Sequence, residues 1–220
     1  MEKATKWFGL MRLALIIAIA ASAIYTAIDV NYALTAADTG MDPLDDNSNW
    51  SPVLAIGIGV TQLLQVAALI FLLVASIGFV FRSAQWLKSQ DVIALGTKKP
   101  GWVIAGYLIP AIGVIIPFLF MMDLNKGGFR TDKQKSSTRS LLFVNLALSF
   151  GSSSVTKNQL MSAFSNRTIT FDEFLTQEWQ AISGSVLDIA SMILMLFIAK
   201  GIHTGLVNRA SGSGVSSSTP

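Results

Sequence analysis

The chain has 220 residues, of which 52% are hydrophobic and only 13% are charged, and its net charge is +3 at pH 7. Soluble domains usually contain about 25% charged residues, so this shortage indicates a membrane protein. The absence of cysteine excludes disulfides, thiol catalysis, iron–sulfur clusters and cysteine-bound zinc. The single histidine, His203, makes a histidine-based metal site unexpected, and we predict no cofactor.

The first apolar run, Leu13–Ile28, follows three basic residues and predicts a membrane-crossing helix. Within it, the small residues Ala21–Ala23 resemble the cleavage site of a signal peptide. The apolar pattern continues past that stretch, which favours an uncleaved helix and leaves the signal peptide as the alternative. An acidic loop without Lys or Arg, Thr35–Pro52, is predicted to follow.

The strongest candidate span is Val53–Phe81, which is predicted to end at Arg82. At 29 residues it exceeds the roughly 20 needed to cross a bilayer, so we expect it to tilt or to project from the membrane. Gln62 and Gln65 share one face of this helix, where they either line a cavity or hydrogen-bond to a neighbouring helix. Beyond the span, mixed apolar and polar positions in Arg82–Gly96 predict a short helix at the membrane interface.

The next apolar segment, Trp102–Met122, poses the main question of topology. Its 21 residues would form a helix about 31 Å long, enough to cross a core of about 30 Å. Pro110 and Pro117 each remove a helical hydrogen bond, and Gly113 lies between them, so a break is favoured over a single kink. We expect Pro110 and Gly113 near the turning point and Pro117 in the return limb.

The distribution of Lys and Arg separates the two topologies. If the segment crosses fully, nine basic residues lie on the cytoplasmic side and seven on the other; if it re-enters, the numbers are fourteen and two. Cytoplasmic loops are enriched in Lys and Arg, so re-entry is favoured, with both termini cytoplasmic. A kinked crossing helix remains the alternative. The basic residues lie between apolar runs, so an anionic membrane surface explains them better than nucleic acid.

The remaining chain adds two predicted spans, a weak one at Ser140–Val155 and a clear one at Ala181–Ile202. Residues 211–220 read as a disordered tail. The predicted fold is therefore all-α, an integral membrane helical bundle forming one domain over residues 1–210. It has four crossing helices, one proline-broken re-entrant segment and one interfacial helix.

Few residues are candidates for function. Asp188 is an acid within a strong span, where a carboxylate is costly and can mark a proton or ion path. It can instead pair with Gln62, Gln65 or Asn145, or reach water. The stretch between the third and fourth apolar runs either binds anionic lipid or a partner, or only fixes topology. Its basic residues are Lys126, Arg130, Lys133, Lys135 and Arg139.

The stretch "FVFRSAQWLKSQDVIALGTKKPGWVIAGYLIPAIGVIIPFLFMMDL" resembles a bacterial membrane family known as domain of unknown function 4328. This chain departs from the family pattern at Gly113 and Asp91, where Asn is frequent. The resemblance implies a bacterial multi-span membrane protein and supplies no substrate or reaction. The matching elements are Arg82, Ala94–Gly96, Pro100–Trp102, Ile109–Pro110 and Pro117.

Two functions follow as hypotheses. The first is a non-enzymatic scaffold or regulator in the bacterial inner membrane, because no nucleophile lies beside a base and no carboxylate pair has suitable spacing. The second is a small transporter or channel subunit that uses the re-entrant segment and Asp188. The expected partner in either case is the lipid bilayer, with protein partners or a homo-oligomer left open and no nucleic acid.

Overall fold

The computed structural model describes residues 1–40, 51–92, 101–108, 115–163 and 170–212, with backbone alone at 51–55, 108 and 153–163. The described residues are all-α, as predicted, and form six helices. In chain order these are α1 (Glu2–Thr39), α2 (Ser51–Ser89), α3 (Gly101–Leu108), α4 (Ile115–Gly127), α5 (Asp132–Ala163) and α6 (Phe171–Ala210).

Three helices are long and apolar enough to cross a membrane. They are α1, α2 and α6, with 38, 39 and 40 residues. The described part of α5 does not meet the same criterion, because polar residues occupy its first turns. The fourth crossing helix, expected at Ser140–Val155, therefore stays a prediction.

The helix α2 does not end at Arg82, where the predicted second span ends, but continues without interruption to Ser89. No Gly or Pro lies between Phe81 and Ser89, so nothing in the backbone ends the helix where the apolar run ends. The prediction of a separate interfacial helix at Arg82–Gly96 is wrong for the described residues of that range. These residues form the last two turns of α2 and the reverse turn that follows it. Residues 93–96 lie outside the described residues.

The C-terminus of α2 closes through a pair of backbone hydrogen bonds. The Val92 N–H donates to the Leu87 carbonyl at 3.3 Å, and the Asp91 N–H donates to the Lys88 carbonyl at 3.2 Å. This pattern is a Schellman motif, which requires a left-handed residue. Asp91 adopts that conformation with φ of 51°, a role that glycine usually fills. The expected helix end near Gly96 is therefore replaced by one at Ser89.

The helices α1, α5 and α6 extend into polar stretches that were predicted to be loops. The helix α1 extends to Thr39 and ends before Gly40, whose φ is 66°, so the loop expected from Thr35 begins later. The helix α5 begins at Asp132, inside the stretch taken as a basic loop. Similarly, α6 begins at Phe171, ten residues before the predicted span. Apolar runs therefore do not mark where these helices begin and end.

The segment Trp102–Met122 contains two separate helices, α3 and α4. Pro110 and Gly113, expected at the turning point, lie outside the described residues. The expectation that Pro117 breaks the return limb is wrong, because Pro117 is the third residue of α4 and is buried. A proline is tolerated there because the first-turn N–H groups have no intrahelical acceptor. The two helices pack together, and a Cβ at Gly106 would overlap the side chain of Ile116.

The chain divides into two compact units. The first unit comprises Met1–Leu15, Ile70–Ala147 and Ile193–Pro220, and the second comprises Ile16–Leu69 and Leu148–Met192. The first unit has a large apolar core that includes Phe79, Leu87 and Ile202. The second unit buries mainly alanines together with the polar side chains of Ser22 and Asp29.

Candidate functional site

The most elaborate polar contacts of the first unit lie where α4 passes into α5. The connection is short, running from Gly128 to Thr131. Thr131 and Gln134 form a capping box: the Thr131 N–H donates to Gln134 Oε1, and the Gln134 N–H donates to Thr131 Oγ1, both at 3.4 Å. This box begins α5 directly after Arg130, and so it fixes where that side chain leaves the backbone.

The connection packs on the last turns of α6 through backbone atoms. The Phe129 N–H donates to the Gly205 carbonyl at 2.9 Å. A Cβ added to Gly128 would lie 2.9 Å from the carbonyl carbon of Gly205, which is closer than real contacts allow. Both glycines are therefore required for the two backbones to approach this closely.

Arg130 turns inward over this junction. Its Nη1 donates to Thr138 Oγ1 at 2.8 Å and to Asn125 Oδ1 at 3.4 Å. The Asn125 side chain, only 4% exposed, also donates from Nδ2 to the Lys135 carbonyl at 2.9 Å. A Cβ at Gly201 would lie 3.0 Å from Arg130 Nη1, so a glycine on α6 leaves room for the guanidinium.

A second arginine closes the junction from the α6 side. Arg209 Nη1 donates to the Gly127 carbonyl at 2.8 Å, and its guanidinium carbon lies 4.6 Å from the centre of the Phe129 ring. Asn208 Nδ2 donates to the Phe129 carbonyl at 3.3 Å. Sequence analysis missed Arg209 as a member of this group. The available signal was the Gly201 and Gly205 pair, whose spacing of four places both on one helix face.

The five basic residues predicted as one binding loop separate into two groups. Only Arg130 lies between the helices, since Lys126 is in the last turn of α4 and the other three are on α5. Lys126, Lys133 and Arg139 are exposed, whereas Lys135 and Arg130 are half-buried. Partial burial lowers the pKa of the Arg130 guanidinium, but its ordinary value is so high that it stays charged at neutral pH. Arg130 therefore joins the helices, and the exposed cations are free to meet a ligand.

In the second unit, the two glutamines join α2 to α1. Gln62 Nε2 donates to the Tyr25 hydroxyl and Gln65 Nε2 donates to Ser22 Oγ, each at 3.3 Å. The sequence allowed these glutamines either to line a cavity or to hydrogen-bond to a neighbouring helix. The observed contacts are hydrogen bonds between helices.

An acid that sequence analysis missed lies next to this pair. Asp29 is only 6% exposed, and its carboxylate accepts a hydrogen bond from the Tyr25 hydroxyl. The carboxylate of Glu178, on α6, is close enough to interact with it electrostatically. Asp29 directly follows the predicted span Leu13–Ile28, so it was expected outside the membrane-crossing helix. Its burial within α1 could not be predicted from that position.

Asp188 does not join these groups. Its side chain is exposed on α6, and within the described part of the chain no residue donates a hydrogen bond to it. The pairing with Gln62, Gln65 or Asn145 that the sequence allowed is therefore absent among the described residues. All three candidates interact with other groups.

Family models, curated proteins and solved structures were compared with the chain, and none of the three comparisons finds a match. The resemblance to domain of unknown function 4328 stays a prediction that depends on the residues quoted for it.

Proposed function

We propose that the chain is a multi-pass membrane protein in which α1, α2, α5 and α6 cross the bilayer and α3 with α4 forms a re-entrant hairpin. One contact carries this topology. A Cβ at Gly127, the last residue of α4, would lie 2.7 Å from Leu87 Cδ1, two residues before the end of α2. The end of α4 therefore packs against the end of α2, the helix that leads into the segment. If both ends lie together, the segment returns to the side of the membrane on which α2 ends.

The packing of α5 supports its role as a crossing helix. In the second unit, Ser149 Oγ lies 3.4 Å from Ser191 Oγ, and a Cβ at Gly151 would lie 3.5 Å from Leu187 Cδ1. The partner numbers on α6 fall as those on α5 rise, so the helices are antiparallel. An antiparallel partner of a 40-residue apolar helix is expected to share its membrane environment.

The charges of the two units give the proposed orientation. Among described residues, twelve Lys and Arg belong to the first unit and one, Lys157, to the second. Four acids belong to the first unit and six to the second. Cytoplasmic segments are enriched in Lys and Arg, so the polar ends of the first unit are expected to face the cytoplasm.

Single cysteines test this topology, because the natural chain contains none. Ser89→Cys, Ser136→Cys and Thr39→Cys all replace exposed residues at helix ends or in the first turns of α5. An impermeant thiol reagent added outside cells should label only position 39. Inside-out vesicles should expose positions 89 and 136 instead. Labelling of 89 and 136 from opposite sides would mean that Trp102–Met122 crosses the bilayer.

For activity, we propose a non-enzymatic scaffold or regulator, which the resemblance would place in a bacterial inner membrane. Its support is the set of cations in the first unit that remain exposed after Arg130 and Arg209 have joined the helices. Those on α4, α5 and α6 are Lys126, Lys133, Arg139 and Lys200, and they form the proposed surface. Such a surface suits an acidic protein partner at the membrane.

Charge reversal tests the scaffold. Lys133→Glu combined with Arg139→Glu should abolish co-purification of proteins crosslinked to α5, whereas Lys88→Glu on α2 should leave it unchanged. If the double variant retains every crosslinked partner, or none forms with the natural chain, the scaffold proposal fails.

The second candidate, a small transporter or channel subunit, is favoured by a different observation. Asp29 is a buried carboxylate, hydrogen-bonded by Tyr25, in a helix long enough to cross a membrane. Such groups often belong to proton or ion paths. In reconstituted vesicles, Asp29→Asn should stop proton flux while the exposed Asp38→Asn does not. The predicted residue Asp188 is tested in the same way. Flux no greater than that of empty vesicles would exclude the transporter.

A further inference from the structure

An open cavity of about 420 Å³, unenclosed over much of its surface, lies in the first unit between the beginning of α1 and the end of α2. It falls within the range of about 300–1,000 Å³ typical of small-ligand pockets. Its lining comprises Met1, Glu2, Lys3, Ala4, Arg82, Gln85 and Trp86. None of these residues takes part in the Arg130 junction or in the cation surface of α4 and α5.

The side chains around the cavity favour an anion. Lys3 and Arg82 supply two cations on facing helices. The lining contains one acid, Glu2, whose carboxylate Oε1 lies 3.1 Å from Lys6 Nζ. That neighbour offsets the negative charge of Glu2, so the lining is positive overall.

The polar side chains of α2 provide several hydrogen bonds that an anionic oxygen-bearing group, such as carboxylate or phosphate, can accept. Arg82 Nη1 donates to Gln85 Oε1 at 2.9 Å, which holds the guanidinium over the cavity wall. The remaining guanidinium N–H groups and the Gln85 amide nitrogen are donors. Guanidinium groups bind phosphate through paired hydrogen bonds, so a phosphate group fits this donor set better than a single carbonyl.

The position of the cavity along α2 favours a lipid phosphate over a soluble one. Arg82 directly follows the apolar run Val53–Phe81, and Trp86 lies one turn further along α2. Basic and tryptophan side chains at the end of an apolar span lie at the level of lipid head groups. A phosphate at that level belongs to a lipid more often than to a solute.

We propose that this cavity binds the phosphate of an anionic phospholipid, with Lys3 and Arg82 as its charge partners and Trp86 beside the head group. The lipid would then bridge the beginning of α1 and the end of α2. This site shares no residue with the predicted basic stretch on α4 and α5.

Lipid retention by the whole chain tests the site. The chain and its variants are purified in mild detergent, mixed with phosphatidylglycerol or phosphatidylcholine, and examined by native mass spectrometry. Phosphatidylglycerol should be retained preferentially. Lys3→Gln with Arg82→Gln should reduce its affinity at least about fivefold, since each basic residue near a membrane surface is worth about that factor. Arg82→Lys keeps the charge but loses the paired guanidinium donors, so its affinity should lie between those of the natural chain and the double variant.

A matched control separates the cavity from the general positive charge. Lys88→Gln removes an exposed cation from the same helix without touching the cavity, and it should leave retention within about twofold of the natural chain. Equal losses in Lys88→Gln and in the double variant would overturn the proposal, as would unchanged retention in the double variant. Far-ultraviolet circular dichroism establishes that each variant keeps its helices. If the double variant loses them, the single variants Lys3→Gln and Arg82→Gln replace it, and unchanged retention in both would overturn the proposal.

Soluble phosphate distinguishes the two sources. Inorganic phosphate and glycerol phosphate, titrated into the chain in phosphatidylcholine nanodiscs, should bind weakly or not at all. If either binds and depends on Lys3 and Arg82 while phosphatidylglycerol shows no such dependence, the ligand is a soluble phosphate compound and the lipid assignment is wrong.

Discussion

The two units bury different kinds of side chain. The twelve largest fully buried side chains in the described residues all belong to the first unit. Buried apolar residues of the second unit are mostly small, among them Ala18, Ala33, Ala36 and Ala68. Buried polar groups are also close together there, as Ser22, Thr26 and Asp29 follow one another along α1.

This contrast indicates two ways of holding helices together. In lipid, apolar burial alone gives little preference for one neighbour over another, so association depends on close packing and hydrogen bonds. The first unit uses large interdigitating side chains and a backbone contact at Gly128 and Gly205. The second uses small residues and single side-chain bonds such as that from Gln65 to Ser22. The first unit should therefore be the more sensitive to substitution.

The largest expected effect is at the backbone contact. Gly128→Ala places a Cβ against the Gly205 backbone and should lower the free energy of unfolding by about 1–3 kcal/mol, the usual cost of overpacking. Gly57→Ala in the second unit meets nothing within 4 Å and should be neutral or stabilising by up to about 1 kcal/mol. Unfolding in micelles by added dodecyl sulfate measures both. Equal effects would remove the contrast between the units.

The next effect concerns Arg130. Arg130→Met removes the donor to Thr138 and Asn125, both nearly buried, and should cost about 1–3 kcal/mol because their oxygens lose a partner. Lys133→Met, an exposed cation three residues later, should change the free energy of unfolding by less than about 0.5 kcal/mol. The same titration applies. An Arg130 variant as stable as the Lys133 variant would mean that the junction contributes no stability.

Each unit contains a helix that begins with a capping box, which allows a direct comparison of the two units. Thr131 with Gln134 opens α5 in the first unit, and Thr170 with Glu173 opens α6 in the second. Loss of either threonine should cost about 1 kcal/mol. Hydrogen exchange of the first-turn amides should quicken locally in both Thr131→Ala and Thr170→Ala. If amide exchange quickens throughout one unit but only near the substitution in the other, the two units unfold with different cooperativity.

The smallest effect is expected from the helix–helix bonds of the second unit. Gln65→Leu keeps the volume and removes one bond of 3.3 Å to Ser22, so the cost should be about 0.6 kcal/mol. Val66→Leu, on an exposed face of the same helix, is the control. A loss above 2 kcal/mol would show that this bond is as important as the Arg130 junction.

Apolar content was enough to predict the fold class and the three long apolar helices. Trp102–Met122 contains two helices, but Pro117 lies inside α4, and Pro110 and Gly113, the other predicted breakers, lie outside the described residues. Helix ends were predicted poorly, because the end of an apolar run does not stop a helix, which ends where its last backbone hydrogen bonds are capped. The caps themselves were readable: "TDKQ" and "TFDE" have the Thr-x-x-Gln/Glu pattern that opens α5 and α6.

The candidate sites were less predictable, since each depends on a partner distant in sequence. Nothing near Arg130 indicates that it points inward, because the glycines that accommodate it are about seventy residues away on α6. Asp29 and Glu178 likewise meet only when α1 and α6 pack together. In contrast, the exposure of Lys126 and Lys133 agrees with what a basic stretch in sequence indicates.

The contact between Leu87 and Gly127 has a consequence for how such a chain can change over evolution. Under the proposed topology, the hairpin joins and leaves the bundle at one place, so deleting it would not invert α5 and α6 in the membrane. A single crossing helix could not be lost so simply, because its removal would transfer every later loop to the opposite compartment. Under that topology, a change in the length of the hairpin, or its loss, would leave the orientation of the other helices unchanged.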